Sequence, residues 1–267
     1  MALDTGLQGV HVLITGASGG IGIEVTRSFL QLGAKVSAHY NSSQRELSEI
    51  SSSSLKAIQA ELTREDDIVK LFDAAEEAYG TPVQILIVNH GVWPTQSVEL
   101  ADMTLSQWRN THAVNLDGSF LLCRDFLRRL RGKSAQILEP VSICFIGSTA
   151  GKFGEADHAD YSSTKSALMY GLTRSLKNEI IRIAPKGRVN SVDPGYVKTP
   201  LVEEVTKNEK LMAVALASTP LRKTALPIDI ANQVVVVSSP TLSGHLTGVN
   251  VSVDGGMEGR CLFPPQA

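Results

Sequence analysis

Val10-His11-Val12-Leu13-Ile14-Thr15-Gly16-Ala17-Ser18-Gly19-Gly20-Ile21-Gly22 is the stretch that decides the fold. A short apolar, β-rich run stops at Thr15-Gly16, which suits a strand buried on both faces. Glycines follow, then an apolar-periodic run from Ile23 to Leu32, closed by Gly33. The passage reads strand, glycine turn, helix. Glycine lets the backbone turn tightly and approach a ligand closely. Free N–H groups and the dipole at the helix start favour a phosphate there. The spacing of Gly16, Gly20 and Gly22 is TGxxxGxG, looser than GxGxxG. A glycine turn without a ligand is the competing reading of this stretch alone.

Outward from it, Ala34 to His39 makes a second strand. In a dinucleotide fold an acid near the end of that strand grips the ribose 2′-hydroxyl of NAD. Here the positions read His39-Tyr40-Asn41-Ser42-Ser43, with no carboxylate before Glu46. Nothing there repels a 2′-phosphate, and Ser18, Asn41, Ser42 and Arg45 are candidates to bind one. NADP(H) is therefore expected ahead of NAD(H), although no Arg or Lys occupies the turn itself. Gln44 to Ile50 reads as helix. Leu55 to Ala60 is a third strand, ending at Glu61-Leu62. Thr63 is expected to cap the next helix, with Asp66 at its third position, and the helix runs to about Tyr79. Val83 to Val88 is a fourth strand. It delivers Asn89-His90-Gly91 at its C-terminal end, where ligands sit in open α/β sheets.

Leu105 to Leu130 reads as helix with a kink near Asn115-Leu116-Asp117-Gly118. Val141 to Ile146 is a fifth strand that presents Gly147-Ser148-Thr149. Asp160 to Ile183 is a long helix. Arg188 to Val192 is a sixth strand, ending at Asp193-Pro194-Gly195. Thr199 to Ala217 is a helical excursion placed to act as a lid. Pro227 to Ser238 is a further helix, and Gly248 to Val253 the last strand. Strand and helix alternate with no composition break, repeat or linker. The expectation is one doubly wound α/β domain over residues 1–267, a parallel seven-stranded sheet with helices on both faces.

Tyr161 and Lys165 fall on the long helix, four residues apart, and stack on one face about 6 Å apart along the axis. An unperturbed tyrosine titrates near pH 10 and is a poor proton shuttle at neutrality. A fixed cation beside it is expected to lower that value, and about three units would take roughly 4 kcal/mol. Ser148 can donate to the oxygen on which charge develops. The set reads as a general acid/base, its orienter and a carbonyl clamp. Taken alone, a Tyr and a Lys at this spacing are more often a half-buried aromatic beside a solvated charge. Ser148 could equally be a helix cap, and Asn115 a kink residue.

Composition narrows the rest. The 267 residues carry a net charge of −2, so nothing argues for nucleic acid or an anionic membrane. No apolar run approaches membrane-spanning length. Cys123, Cys144 and Cys261 are odd in number and widely spaced, and read as buried thiols in a reducing compartment. Met1 to Gly9 is not a secretory leader. A cytoplasmic location is expected, and no metal site.

Thr15 to Gly22, Asn89-His90-Gly91, Asn115, Ser148, Tyr161-x-x-x-Lys165, Pro194-Gly195 with Thr199, and Val253-Asp254-Gly255-Gly256 together resemble the short-chain dehydrogenases/reductases, in order and spacing, over essentially the whole chain. The resemblance implies Tyr161 as catalytic acid/base, Lys165 as its activator and a ligand of the nicotinamide ribose, and Ser148 on the substrate carbonyl. It implies that Asn115 anchors a water for proton relay. Gly16, Ser18, Gly20, Ile21 and Gly22 would surround the pyrophosphate and adenosine end. Tyr40, Asn41, Ser42, Glu61 and Leu62 would border the adenosine. Asn89 and Gly91 would line the cofactor's ribose region, and Pro194, Gly195, Val197 and Thr199 its nicotinamide end. His90 stands where the family has a small residue and Glu61 where it often has Asp; His90 is read as packing.

The activity this resemblance implies is reversible hydride transfer between NADP(H) and a small-molecule carbonyl/alcohol pair. An isomerase, dehydratase or cyclase using the same tyrosine is the alternative. A non-catalytic nucleotide-binding regulator comes third, disfavoured by the complete Ser148, Tyr161, Lys165 and Asn115 set. Trp93, Pro94, Phe153, His158, Tyr196 and residues 200–217 are placed to line the substrate pocket. They suit a bulky cyclic or polyketide-like ketone. The chain is also similar to fungal reductases of natural-product pathways. Relatives pair through two long helices, here near 116–130 and 160–183, so a homodimer or homotetramer is expected.

Overall fold

The computed structural model describes residues 3–44, 46–199, 212, 213 and 216–259. Seven parallel strands make one sheet in the order β3-β2-β1-β4-β5-β6-β7. They are β1 (His11–Ile14), β2 (Lys35–Tyr40), β3 (Leu55–Gln59), β4 (Ile85–Val88), β5 (Ser142–Ile146), β6 (Arg188–Pro194) and β7 (Asn250–Val253). β1, β4, β5 and β6 are buried along their whole length. In β1, β4 and β5 this goes with largely apolar runs, whereas β6 is buried and still carries Arg188, Asn190, Ser191 and Asp193.

Alternation survives in which face each residue serves. Val12 and Ile14 of β1, Ile85 and Ile87 of β4, and Cys144 and Ile146 of β5 join one core. Leu13, Leu86, Val88, Ile143 and Phe145 join the other. The first core is closed by α1 (Gly20–Gln31), through Val25 and Phe29. The second is closed by α2 (Glu65–Tyr79), through Leu71 and Phe72.

α2 starts one residue later than the sequence suggests. Arg64 stands at its N-cap position without a side-chain bond. Thr63 is held instead by Glu61, whose Oε1 accepts from Thr63 N and Oγ1 at 3.1 and 3.0 Å. The carboxylate wins the hydroxyl that would have capped the helix. Glu65, Asp66 and Asp67 in the first turn favour the helix start through its dipole. Gly80 ends it in the left-handed region at φ +63°. The helix expected over Gln44 to Ile50 shrinks to a single 3₁₀ turn, Leu47–Glu49.

The two long helices are composite. The first runs through α3 (Leu105–His112), a π-helical stretch Ala113–Asp117 and α4 (Gly118–Leu130). The expected kink at Asn115 is thus a π-helical widening. After α5 (Ala135–Leu138) and α6 (Thr149–Phe153), the second runs through α7 (Ala159–Ser166), a π-helical stretch Ala167–Leu172, α8 (Thr173–Glu179) and a 3₁₀ turn Ile180–Arg182. α9 (Pro227–Ser238) starts on Pro227 and covers the first core beside α1. Strand order reverses between β1 and β4, and the crevice beyond those strand ends is where open α/β sheets bind ligands. Most of the expected lid lies outside the described residues, as do Arg45 and Cys261. Cys123 and Cys144 are buried free thiols, pushed upward by burial.

Candidate active site

The glycine turn is pinned from two strand ends. Asn89 Nδ2 donates to the carbonyls of Thr15 and Gly16 at 3.0 and 2.9 Å. Gly16 N donates to His39 Nδ1 at 3.0 Å, and His39 Nε2 reaches Ala60 O at 3.0 Å. These partners fix the tautomer: Nδ1 accepts and Nε2 carries the proton. His90 repeats the pattern, with Nδ1 on Thr15 Oγ1 at 2.9 Å and Nε2 on Val114 O at 3.1 Å. Burial lowers His39 to about 4 and His90 to about 3, so both rings are neutral braces.

Glycine is required here. Gly16 has φ +60°, and a Cβ on it would lie 2.9 Å from His90 Cα. A Cβ on Gly22 would collide with Gly16 O and come within 2.8 Å of Asn89 Nδ2. Gly19 precedes α1, and no side chain caps the first N–H groups of the helix. Those donors fit a phosphate.

Tyr40, Asn41, Ser42, Glu61 and Leu62 lie at the far end of the crevice, at the tips of β2 and β3. Asn41 and Glu61, with Gln59, Ala60, Asp67 and Lys70, border a hollow of about 290 Å³. Lys70 is a cation that the sequence reading did not single out; it pairs loosely with Asp67, at 3.7 Å. Leu62 is buried, and its carbonyl lies 2.9 Å from where a Cβ on Gly118 would sit. One oxygen of Glu61 is already committed to Thr63.

The reacting groups come from β5 and α7. Ser148 follows β5 and caps α6, its Oγ accepting from Ala150 N at 3.1 Å. The cap uses a lone pair and leaves the hydroxyl proton free to donate, so cap and clamp coexist. Tyr161 and Lys165 share one face of α7, with Lys165 Nζ 5.7 Å from the Tyr161 ring centre. Lys165 is buried and donates to Ile146 O at 2.7 Å. Burial lowers it to about 8, against the pull of Asp193.

The Tyr161 phenol moves opposite to expectation. Burial pushes it up to about 12; the Ser148 hydroxyl opposes the shift and the charge of Glu155 adds to it. The neighbouring ammonium is directed at a backbone carbonyl, so desolvation decides the direction.

Asn115 is held by several protein partners. Its Oδ1 accepts from Val92 N at 2.8 Å, and its Nδ2 donates to Val92 O at 3.0 Å and Thr164 Oγ1 at 3.2 Å. Its backbone carbonyl accepts from Ser119 Oγ at 2.6 Å. The side chain is engaged at both ends and ties the segment after Gly91 to α7, while the backbone carbonyl keeps a second acceptor direction.

A cavity of about 680 Å³ joins Ile21, Asn89, Gly91, Ser148, Tyr161, Lys165, Pro194, Gly195, Val197 and Thr199. Gly16, Ser18, Gly20 and Gly22 form the turn next to Ile21 and do not line it, nor does Asn115. Of the expected substrate-facing residues, Trp93, Phe153, His158 and Tyr196 line the cavity. Pro94 does not; its carbonyl pairs with His158 Nε2 at 2.9 Å.

Glu155, Ser218 and Met257 also line it and were missed by the sequence reading. So was Asp193, wholly buried before Pro194-Gly195, with neither carboxylate oxygen in a well-formed hydrogen bond. Burial pushes it up to about 6; Ser191 and Asn250 approach it and Lys165 and Lys152 pull it back. Gly147 opposes it, because a Cβ there would strike Asp193 Oδ1. The available signal was position: an acid next to the Pro-Gly pair, and an acid in the loop before Tyr161. Among the described residues no cluster of His, Cys, Asp or Glu is arranged for a metal ion, and no helix is long and apolar enough to cross a membrane.

Comparison with known proteins agrees with this arrangement. The family described as enoyl-(acyl carrier protein) reductase matches residues 16–258. The NADP-dependent (R)-specific alcohol dehydrogenase of Lentilactobacillus kefiri is 32% identical over 94% of this chain and 97% of its own. The 3-oxoacyl-[acyl-carrier-protein] reductase FabG of Vibrio cholerae is 29% identical over 94% and 98%. Among solved structures, a 3-ketoacyl-(acyl-carrier-protein) reductase from Brucella melitensis, complexed with NADH, superposes with a TM-score of 0.81 at 25% identity. It covers 94% of this chain and 98% of its own. With this sheet order, glycine turn and Ser148, Tyr161, Lys165 constellation, the chain belongs to the short-chain dehydrogenase/reductase family of oxidoreductases.

Proposed function

We propose that this protein carries out reversible, NADP(H)-dependent reduction of a bulky cyclic or polyketide-like ketone in secondary metabolism. The carrying observation is that Ser148, Tyr161 and Lys165 converge on one cavity with Asn89, Gly91 and Pro194. The cradle at Gly16 and Gly22 and the uncapped start of α1 fit a dinucleotide's phosphates. A reduced nicotinamide held along that crevice would supply the hydride for the carbonyl carbon. The chain's own part is placement and protons. Ser148 donates to the carbonyl oxygen, and Tyr161 delivers the proton as charge develops there. Lys165, held on Ile146 O with its Nζ 5.7 Å from the Tyr161 ring centre, offers a donor for the ribose. Asn115 sets the distance between the Gly91 segment and α7.

Two features support NADP(H) over NAD(H): no carboxylate stands at positions 40–43, and Lys70 adds a cation nearby. Trp93, Phe153, Tyr196 and Met257 make the substrate end largely apolar and aromatic. Exposed Phe120 and Ile181 on the two composite helices support a homodimer or homotetramer, and the free, buried thiols of Cys123 and Cys144 fit the reducing cytoplasm. Tyr161→Phe is expected to lower kcat at least a thousandfold while NADPH affinity, read by fluorescence titration, stays within about threefold. Retained turnover would remove Tyr161 from its role. Stoichiometric oxidation of NADPH with product distinguishes reduction from isomerisation.

A further inference from the structure

Glu155 is the one carboxylate in the cavity lining among the described residues. It stands in the connection between α6 and α7, fixed there by its backbone N–H donating to Ser162 Oγ at 3.1 Å. Behind it, Trp93 and His158 stack with ring centres 4.7 Å apart. Trp93 Nε1 donates to Glu155 Oε2 at 3.3 Å, and His158 Nδ1 lies 3.8 Å from Oε1. A carbonyl oxygen faces each ring nitrogen of His158, Pro94 O 2.9 Å from Nε2 and Ala156 O 3.2 Å from Nδ1, and a neutral ring donates to only one of them.

A carboxylate offers about four acceptor directions. This one fills a single direction, with one long N–H bond, while 28% of its side chain stays exposed. Burial holds the carboxyl above the usual range, and its charge pushes both Tyr161 and Tyr196 upward. Its field therefore reaches the reacting hydroxyl. The unused acceptors need donors, and a negative charge brought beside them is repelled.

We propose that Glu155 is a specificity-determining residue, selecting ketones that carry a hydroxyl or ammonium donor and rejecting those that carry a carboxylate. This rests on the hydride-transfer reading and sharpens it. The pocket is apolar over most of its surface with one anionic anchor, so the preferred substrate is a cyclic ketone with a donor away from the carbonyl.

The test uses the full chain with NADPH and four ketones on one skeleton: 2-tetralone and its ring-substituted hydroxyl, aminomethyl and carboxyl derivatives. Expected kcat/KM falls from the hydroxyl and aminomethyl compounds through 2-tetralone to the carboxylate. Glu155→Gln is expected to shrink the aminomethyl-to-carboxylate ratio at least tenfold while keeping the hydroxyl preference. Glu155→Ala is expected to abolish that preference too. Equal kcat/KM across the set in the wild type, or an unchanged ratio in Glu155→Gln, overturns the proposal. Affinities of the four corresponding alcohols, measured by calorimetry, report the same ordering without turnover. If no ketone is reduced with either nucleotide, the hydride-transfer reading falls and those affinities decide the role of Glu155.

Discussion

Asp193 shows how one side chain can serve the site and strain the fold. A carboxyl whose folded value, about 6, lies above its ordinary 3.8 prefers to be protonated in the native state. Between those values the folded chain holds more protons than the unfolded one. Its contribution is therefore most favourable below about pH 4 and is lost as pH rises through about 6. At neutral pH the cost is about 3 kcal/mol. Asp193→Asn keeps the shape and removes the charge. Its stability relative to wild type, from urea unfolding, is expected to be near zero at pH 4 and to rise by about 2–3 kcal/mol by pH 7. A flat difference would mean that the neighbours satisfy the charge completely. Buried His11 and His39, both lowered to about 4, act in the opposite sense over much of this range. They favour the fold above their ordinary value and lose that contribution in acid, so the difference curve is the readout. The charge of Asp193 also holds Lys165 protonated against burial. The variant is accordingly expected to lose activity at lower alkaline pH than wild type.

Among the elements, α6 and α7 place the reacting groups, and Gly151 sets how close they come. A Cβ on Gly151 would lie 2.9 Å from Lys165 C and Ser166 N, and 2.8 Å from Met169 Sδ. Two of those atoms are backbone, so α7 has to move. Gly151→Ala is expected to cost about 1–3 kcal/mol in thermal or urea unfolding. It should lower kcat up to about a hundredfold, because Tyr161 shifts with its helix. Unchanged kcat with reduced stability would show that the site absorbs the movement. The same elements show what could be read in advance. Parallel strands such as β4 and β5 were legible because burial on both faces leaves unbroken apolar runs. The glycine turn was legible because φ and close approach admit no other residue at Gly16 and Gly22. The helix start at Thr63 was not, because a carboxylate two residues away captured the cap. The direction of the Tyr161 shift was not either, since desolvation depends on residues distant in the chain. Asn115 was found by pattern, but its clamp on Val92 depends on where β4 and α7 meet.

Across the whole molecule, two cores flank one sheet, and the crevice lies at the strand ends that both cores hold in register. Phe29 is fully buried in the first core, on the helix that begins at the glycine turn. Phe29→Ala is expected to cost about 3–5 kcal/mol. Scanning calorimetry should show Tm lower by about 10 °C. NADPH at a hundred times its Kd should return about 2.7 kcal/mol if the turn still forms. No upward shift of Tm with NADPH would mean that the cradle had come apart with the core. The strand order also governs how the protein is made. A ribosome releases β1 to β4 and the nucleotide turn first, then Ser148, Tyr161 and Lys165. Only after these emerge do β7 at the sheet edge and Met257 on the cavity wall. The part that completes the reaction chamber thus emerges after the residues that do its chemistry. A nascent chain arrested before residue 250 could assemble its nucleotide cradle while still lacking part of the wall around the ketone.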